Sequence, residues 1–338
     1  MRGLPRLRFG LVCLSRLRFG LVWVVSFMAA SGSGVGPTVA ADLFVDNVRG
    51  NDLFSGDGAE SGPTGGGPLR TIGEALRRSH KRDRIVLANS GQPYRESISL
   101  STGRHSGDSL QPFIIVGNGA TLDGSAPAPE SEWQHVPKSD TVFRSRPPRL
   151  AYQQLFLDDR PLNRVPTTSL SPGLPALEPL QWCMYNGAMY FRPEPGKWID
   201  GYNLSQAVLP VGITLYKVRN VTIVDLVIQG YQLDGINAHD TQDCRLLGIT
   251  CRGNGRSGIA SVGAARLTIE DCISGDNGVA QLLTEGYSIT QVVDSQLIGN
   301  TAPAVLRRGG KVYVQTSPAK MEEPKTPASP EVEKPPEA

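Results

Sequence analysis

Apolar residues recur at intervals of 23 positions from Gly212 onwards. One column of like residues contains Ile213, Ile236, Ile259, Leu282 and Val305, and a second contains Ile223, Leu246, Ile269 and Val292. A fixed period between about 20 and 50 residues is typical of stacked-repeat proteins. Each repeat is too short for two helices and a turn, and its Val, Ile and Thr residues occur in short runs. The pattern therefore predicts a β-solenoid in which each coil lies about 4.8 Å above the last.

A third column of the repeat is polar. It contains Asn254, Asn277 and Asn300, and it begins at Tyr231. Asn is one of the few residues that tolerate the left-handed backbone conformation of a tight bend. Amides stacked at one coil spacing can also hydrogen-bond along the stack. We therefore expect these asparagines to occupy a bend and to form a ladder.

The chain before the repeat is predicted to contain a strand and a helix. Asp42–Val45 has the pattern of a short strand, and residues 47–67 form a loop rich in Gly, Asp, Asn and Ser. Thr71-Ile-Gly-Glu74 has the arrangement of a capping box and predicts a helix to about Ser79. Such a helix would cover the open end of the solenoid, where backbone and apolar core are otherwise exposed.

The segment from 125 to 205 interrupts the repeat pattern. It contains Trp133, Trp182 and Trp198 together with many prolines. Asn186-Gly187 stands between two apolar runs, which is a strong hairpin signal. We expect an inserted β-rich subdomain. Its aromatic residues either fill a small core of their own or stack against sugar rings.

Short motifs along the chain carry a resemblance to a known superfamily. In order, they are Leu43–Asp46, Gly50–Asp52, Pro68–Leu76, Ile85–Leu87, Tyr94–Glu96 and Gly117–Gly124. They resemble the opening of secreted right-handed parallel β-helix proteins of the pectin-lyase-like superfamily. The resemblance covers residues 42–315 and implies an all-β fold, with 23-residue coils, an N-terminal capping helix and the inserted subdomain. Many relatives are polysaccharide lyases or glycoside hydrolases, but others have no known catalysis.

Both ends of the chain are predicted to lie outside this fold. Arginines precede an apolar run over Leu21–Ala30 and the small residues Val39-Ala40-Ala41, which is the order of a secretory signal peptide cleaved before Asp42. The apolar run is too short to span a bilayer, although an uncleaved anchor is an alternative. From Thr316 onward Pro, Glu and Lys dominate without an aromatic residue, which predicts disorder. We expect a secreted, periplasmic or cell-surface protein without stable membrane insertion.

These patterns divide the chain into five parts. The predicted boundaries are a signal peptide over 1–41, an N-terminal cap with the first coils over 42–124, the subdomain over 125–205, regular coils over 206–315 and a disordered tail over 316–338.

The charge balance excludes an obvious nucleic-acid partner. The whole chain carries 34 basic and 32 acidic residues, for a net charge of +2. Residues 1–41 contain five arginines and no acid, so 29 basic and 32 acidic residues remain in the predicted mature chain. Nucleic-acid binding would call for a concentrated basic face. We therefore expect no nucleic-acid partner. The resemblance implies a polysaccharide partner instead, and we expect a monomer.

Four cysteines follow the predicted signal peptide. They are Cys183, Cys244, Cys251 and Cys272. In the repeat register, Cys251 and Cys272 lie one coil and two strand positions apart, or roughly 8 Å between their α-carbons. A disulfide rarely reaches beyond about 7 Å. We therefore expect buried free thiols.

Because successive coils stack, charged residues that are 23 positions apart in the sequence are expected to lie next to each other. The candidates for catalysis around one connecting turn are Asp234, His239, Asp240 and Arg266. The resemblance implies that a Lys, Arg, His or Tyr abstracts a proton next to a uronate carboxylate in lyases of this shape. Hydrolases use two carboxyl groups instead. Histidine has an unperturbed pKa suited to proton transfer at neutral pH, so His239 is the leading candidate.

A structural interpretation of the same residues is the alternative. In that case Asp243 pairs with Arg266 to steady the turn, and His239 is a solvated loop residue.

A second acidic column contains Asp225, Asp271 and Asp294, with Gly248 between the first two. Carboxylates one coil apart repel each other unless a cation or hydrogen-bond donors intervene, so Asp271 and Asp294 are candidate calcium ligands. The alternative is that these aspartates occupy a bend and bond to backbone amides.

The export signal, the resemblance and the aromatic subdomain together favour one function. We expect a secreted carbohydrate-active β-helix protein that either binds a polysaccharide or both binds and cleaves it. The subdomain would form one wall of a groove. The alternative is a non-catalytic structural or surface-binding module. A groove at His239 would favour the enzyme, and a smooth face there would favour the alternative.

Overall fold

The computed structural model of the chain describes residues 40–62, 65–137, 139, 141–147, 152–167 and 173–316. These residues belong to one compact unit that begins at Ala40. The predicted signal peptide up to residue 39 and the predicted tail from residue 317 lie outside the described residues.

The described residues form one α-helix and 24 strands. The first strands are β1 (Asp42–Val45), β2 (Arg84–Leu87), β3 (Ile98–Ser101) and β4 (Phe113–Asp123), and helix α1 (Ile72–Arg78) lies between β1 and β2. The subdomain contains β5 (Ser125–Pro127), β6 (Gln134–His135), β7 (Phe143–Ser145), β8 (Leu155–Leu157), β9 (Arg160–Pro161), β10 (Asn163–Arg164), β11 (Gln181–Tyr185), β12 (Ala188–Phe191) and β13 (Leu204–Ala207). The remaining strands are β14 (Ile213–Tyr216), β15 (Val221–Gln229), β16 (Asp234–His239), β17 (Cys244–Leu247), β18 (Thr250–Arg252), β19 (Ser257–Val262), β20 (Arg266–Glu270), β21 (Ile273–Gly275), β22 (Ala280–Val293), β23 (Gln296–Leu297) and β24 (Val305–Gln315).

Fifteen of these strands form a continuous parallel sheet that winds into coils with three faces. Face A contains β3, β14, β16 and β19 with the first halves of β22 and β24. Face B contains β1, β2, β17 and β20 with the first halves of β4 and β15 and the second halves of β22 and β24. Face C contains the second halves of β4 and β15 with β18, β21 and β23. The predicted parallel β-helix is confirmed.

The strand register follows the apolar columns of the sequence. Ile213 pairs with Ile236, Ile236 with Ile259, Ile259 with Leu282, and Leu282 with Val305. The first four of these residues are fully buried. Each column therefore stacks along the helix axis and builds one continuous apolar core.

The coils turn at residues with left-handed backbone. Between faces A and B these residues are Lys217, Asp240, Gly263 and Gly286, with φ between 53° and 69°. Between faces B and C they are Asp225, Gly248, Asp271 and Asp294, and after face C they are Gly230, Gly253 and Asp276. Gly and short polar residues tolerate this conformation, which most side chains avoid. The corner conformation explains why these columns consist mostly of Asp and Gly.

The asparagine column differs from its prediction in one respect. Asn254 and Asn277 are fully buried and follow the left-handed residues Gly253 and Asp276 instead of adopting that conformation themselves. The expected ladder is present, because Nδ2 of Asn254 donates to Oδ1 of Asn277 at 3.0 Å. Asn300 does not extend it, since this exposed residue donates to Oδ1 of Asp276 instead. The side-chain amides of Asn254 and Asn277 point inward and hydrogen-bond to buried backbone groups. This requirement outweighs the preference of Asn for the left-handed conformation of a bend.

Helix α1 begins where the capping pattern places it. The side chain of Thr71 accepts from the backbone N–H of Glu74 at 3.1 Å, and the N–H groups of Ile72 and Gly73 donate to the carboxylate of Glu96. Its apolar side joins the core of the coils through Ile72, Ala75 and Leu76.

The subdomain has two small sheets and its own core. One sheet has the strand order β10-β11-β12-β7-β6, and the other has the order β5-β13-β8-β9. Asn186 and Gly187 connect β11 and β12 with φ of 46° and 73°, so the predicted hairpin is present. Trp133 and Trp182 pack inside this subdomain, whereas Trp198 is 65% exposed. Two of the three tryptophans thus fill a core, and one is available at the surface.

The four described cysteines are buried free thiols, as expected. Burial raises the pKa of Cys244 and of Cys272 to about 11. They act as small apolar core residues at neutral pH.

Asn277→Ala is expected to lower the free energy of unfolding by about 2 to 3 kcal/mol, because it leaves several buried polar groups without a partner. Those groups include the backbone N–H of Asn254, 3.0 Å from Oδ1 of Asn277, and Oε1 of Gln281, 2.7 Å from Nδ2. The exposed Asn300 provides the matched control, and Asn300→Ala should cost less than about 1 kcal/mol. Urea unfolding of the two variants measures the difference, and equal losses would contradict a buried ladder.

Candidate functional site

His239 and Asp240 lie together at the corner between faces A and B. Nδ1 of His239 is 3.2 Å from Oδ2 of Asp240, and the histidine side chain is 41% exposed. The ring of Tyr216, one coil below, lies 5.5 Å from the His239 ring, and Nζ of Lys217 lies 5.1 Å from the centre of the Tyr216 ring. The predicted pair is therefore adjacent and reachable from solvent.

Asp240 also connects two coils. Its Oδ1 accepts from the backbone N–H of Ala264 at 2.8 Å. This hydrogen bond, followed by the positive charges of His239 and Lys217, lowers the pKa of Asp240 despite partial desolvation. Asp240 is accordingly ionised at neutral pH. Its carboxylate is therefore poorly suited to donate a proton itself.

Arg266 begins β20 at the corner one coil above Asp240. Its Nη1 donates to the carbonyl oxygens of Ala264, Ala265 and Tyr287 at distances of 3.0 to 3.3 Å. The guanidinium therefore stabilises the turn through backbone carbonyls, and not through the ion pair with Asp243 that the structural alternative expected.

Asp234 does not join the other three candidates, and this part of the predicted constellation is wrong. It opens β16 whereas His239 ends it, which separates their α-carbons by roughly 16 Å along an extended strand. The carboxylate is fully buried, where it forms an ion pair with Arg256 and accepts from Ser257 at 2.6 Å and Asn237 at 2.9 Å. The partners of Asp234 include Asn237, which lies between the core residues Ile236 and Ala238 on β16, so the carboxylate is covered by polar side chains and not by the apolar core.

Asp271 and Asp294 occupy left-handed corners between faces B and C, with φ of 52° and 48°. Their backbone N–H groups donate to the carbonyls of Val293 and Gln315 in the next coil. Within the described ranges, no group of three or more His, Cys, Asp or Glu side chains lies close enough to hold a metal ion. The bend interpretation agrees with this geometry, and calcium binding stays a prediction.

A groove of about 640 Å³ lies away from His239, between the subdomain and the corners of the last coils. Its subdomain wall includes Asn163, Arg164 and Thr167. The coil side contributes Asp276, Gly278, Asn300 and Thr301, and Gln154 lies between the two walls. Sequence reasoning expected a groove bounded by the subdomain but placed it at a different corner.

The coil side of the groove is held in place by hydrogen bonds. Nδ2 of Asn300 donates to Oδ1 of Asp276 at 2.7 Å, and Oδ1 of Asn300 accepts from the backbone N–H groups of Asp276 and Thr301. The hydroxyl of Thr301 donates to the carbonyl of Asn277 at 2.7 Å. A fixed array of amide, carboxylate and hydroxyl groups therefore lines this wall.

Arg164 supplies the cationic group on the opposite wall. Its guanidinium carbon lies 5.3 Å from the centre of the buried Trp182 ring, and the side chain is half-buried. Burial lowers the pKa of Arg164. An arginine remains charged under these conditions because its ordinary pKa is so high.

The subdomain also presents an exposed aromatic ring. Trp198 is 65% exposed and makes an edge contact with Phe143, whose ring centre lies 5.8 Å away. Glu194 and Lys197 beside it form an ion pair at 2.5 Å, and these residues line a hollow of about 160 Å³. The arrangement provides an apolar ring face next to polar groups.

The described residues contain no helix with the length and apolar character needed to cross a membrane.

Comparisons with known proteins concern the fold. No protein-family model matches the chain, and no curated protein sequence matches it. A solved glycoside hydrolase is similar in structure, with a TM-score of 0.54 and 10% identity over 76% of this chain and 73% of that chain. A pectate lyase is similar with a TM-score of 0.40 and 11% identity over 77% of this chain and 54% of that chain. The first likeness supports the parallel β-helix fold, and the second score is too low to add to it.

Asp234→Asn is expected to lower the free energy of unfolding by about 3 to 5 kcal/mol, because it leaves the buried guanidinium of Arg256 uncompensated. Asp225→Asn is the matched control, since Asp225 is exposed and its left-handed corner accepts Asn. Chemical denaturation of both variants provides the measurement. A stable Asp234→Asn variant would argue against the structural role that the buried ion pair implies.

Proposed function

We propose that the protein binds a polysaccharide in the groove between the subdomain and the last coils. The observation that carries this proposal is the groove itself, which is concave, about 640 Å³ in volume and lined on both walls by polar side chains. Ligand sites are typically clefts of about 300 to 1,000 Å³ with a few fixed polar groups. Sugar hydroxyls can both donate and accept, and the groove offers partners of both kinds.

The rigidity of the coil wall supports the same proposal. Asp276, Asn300 and Thr301 are held by hydrogen bonds before any ligand arrives. Pre-organised polar groups lose little conformational entropy on binding, which favours affinity for a hydroxyl-rich ligand. The exposed ring of Trp198 would add a stacking contact for a sugar ring outside the groove.

The proposal includes export of the protein. The signal-peptide pattern of residues 1–41 would bring the mature chain to the periplasm, the cell surface or the medium, where polysaccharides are accessible.

Filling the groove should abolish binding. Asn163 is exposed and lines the groove, so Asn163→Trp places a large ring there without disturbing a buried group. We expect at least about a tenfold loss of affinity for the best ligand of a panel of neutral and uronate-containing polysaccharides, measured by calorimetry. Leu110→Trp, at a loop residue that is 91% exposed, is the control and should bind like the wild type. Unchanged binding by Asn163→Trp would place the polysaccharide elsewhere.

Cleavage of a polysaccharide at a second surface, the corner between faces A and B, is another candidate function. The specific observation that favours it is the His239–Asp240 pair, in which a partly exposed imidazole lies 3.2 Å from a carboxylate of lowered pKa. An imidazole beside an ionised carboxylate suits a general base. Arg266, in the corner above, would contribute by holding the turn.

Release of reducing ends from the same panel, measured with and without calcium, tests cleavage. Reducing-end release should fall by at least about a hundredfold in His239→Ala and remain near the wild-type rate in His80→Ala, an exposed histidine near helix α1. Release that survives His239→Ala would leave an enzyme with a different site. If the folded wild type releases nothing while it binds, the protein is the non-catalytic module.

A further inference from the structure

We infer that Arg164 forms a subsite for a sugar carboxylate within the groove, so that the polysaccharide bound there is acidic. This inference rests on the proposed binding function and adds the chemical class of the ligand. It assigns to Arg164 the role of pairing with one carboxylate of the bound chain.

The charge of Arg164 is only weakly compensated by the protein. Among the described residues, the other half-buried arginines all bond to an acceptor of the protein. Arg256 and Arg78 pair with carboxylates, Arg266 and Arg192 donate to backbone carbonyls, and Arg144 donates to the side chain of Gln134. Arg164 forms no ion pair with a described carboxylate, and its guanidinium lies against the Trp182 ring. Removing a charge from water without a counterion costs free energy, and an incoming anion would recover part of that cost.

The position of the guanidinium is set by the sheet beneath it. Strand β10 pairs with β11, which places Arg164 opposite Trp182. Nε1 of Trp182 donates to the carbonyl of Leu162 at 3.2 Å, and the backbone N–H of Val165 donates to the carbonyl of Trp182 at 2.8 Å. The indole ring is therefore fixed, and it supports the cation from one side through a cation–π contact. The remaining donors of the guanidinium can face the groove.

A carboxylate matches the geometry of this site. The planar guanidinium presents parallel N–H donors that match the two oxygens of a carboxylate. Asp276 contributes a negative charge to the opposite wall, where one of its oxygens already accepts from Asn300. A bound uronate chain would place a carboxylate at Arg164 and direct its hydroxyl groups towards Asp276.

Oligomers of galacturonic acid and their methyl esters test the inference directly, because esterification removes the charge and keeps the sugar. We expect the wild type to bind the acid at least about tenfold more tightly than the ester, which corresponds to one charge-assisted interaction. Arg164→Gln should bind both forms with similar affinity, and Arg164→Lys should retain part of the preference. Calorimetry gives the affinities, and indole fluorescence reports on the environment of Trp182.

Arg144→Gln provides the matched control, because Arg144 lies on β7 of the same subdomain and is not a lining residue of the groove. It should keep the full preference for the acid. Thermal unfolding of all variants identifies any that fail to fold, and Arg164→Lys, which keeps the charge and most of the side-chain volume, maintains the test if Arg164→Gln does not fold.

The remaining outcomes separate this inference from the proposed function. Equal binding of acid and ester by the wild type, with loss of both in Asn163→Trp, would overturn the carboxylate subsite and keep the groove as a polysaccharide site. Tighter binding of a sulfated glycan than of the galacturonate oligomer would also overturn the assignment to a carboxylate. Absence of binding to every acidic, esterified and neutral ligand would overturn both.

Discussion

The backbone hydrogen bonds between successive coils are the interaction on which the rest of the structure depends. They require strand partners to stay in register from one coil to the next, as they do from Ile213 to Val305 on face A. A slip of one residue would turn an apolar side chain outward and a polar one inward. Each coil also has to turn at its corners without losing these bonds, and left-handed Asp, Asn, Lys and Gly residues meet that need. The sequence repeats because the strand register and the corner conformation constrain every coil in the same way.

The same register decides which charged residues are available for chemistry. Asp234 and His239 lie at opposite ends of one strand, so the carboxylate is buried against Arg256 while the imidazole is partly exposed at the corner. Strict alternation along β16 does not predict this difference, because an added methyl group at Gly235 would lie 3.3 Å from Sγ of the buried Cys251, on the same inner side as Ile236. The sequence interpretation grouped Asp234 with His239 because both lie in one short stretch, and the partner that occupies the carboxylate, Arg256, comes from the next coil.

The repeat region and the subdomain differ in how much their sequences reveal. Stacked columns predict the coils and the register, because each position of the repeat is sampled several times. In the subdomain only the Asn186-Gly187 hairpin has a strong local signal. Strand β10 has two residues, and nothing in its sequence indicates that Arg164 lies over Trp182. That contact depends on the pairing of β10 with β11, which is a tertiary effect.

The groove depends on one column of the repeat, in which the residue type changes from one coil to the next. At Gly255 a methyl group would lie 1.8 Å from the carbonyl oxygen of Tyr152, so only glycine allows the subdomain to pack against this coil. One coil higher, an added methyl group at Gly278 would lie 2.2 Å from the carbonyl oxygen of Gly255 and 3.1 Å from Nε2 of Gln154. The next residue in the column is Thr301, which lines the groove and bonds to the coil below. Close packing at Gly255 and Gly278 therefore anchors the subdomain on two coils. Thr301 is the first larger and polar residue of the column, and the two walls of the groove separate at its level. A repeat that had kept glycine at this position would have lost one of the fixed hydroxyl groups of the groove.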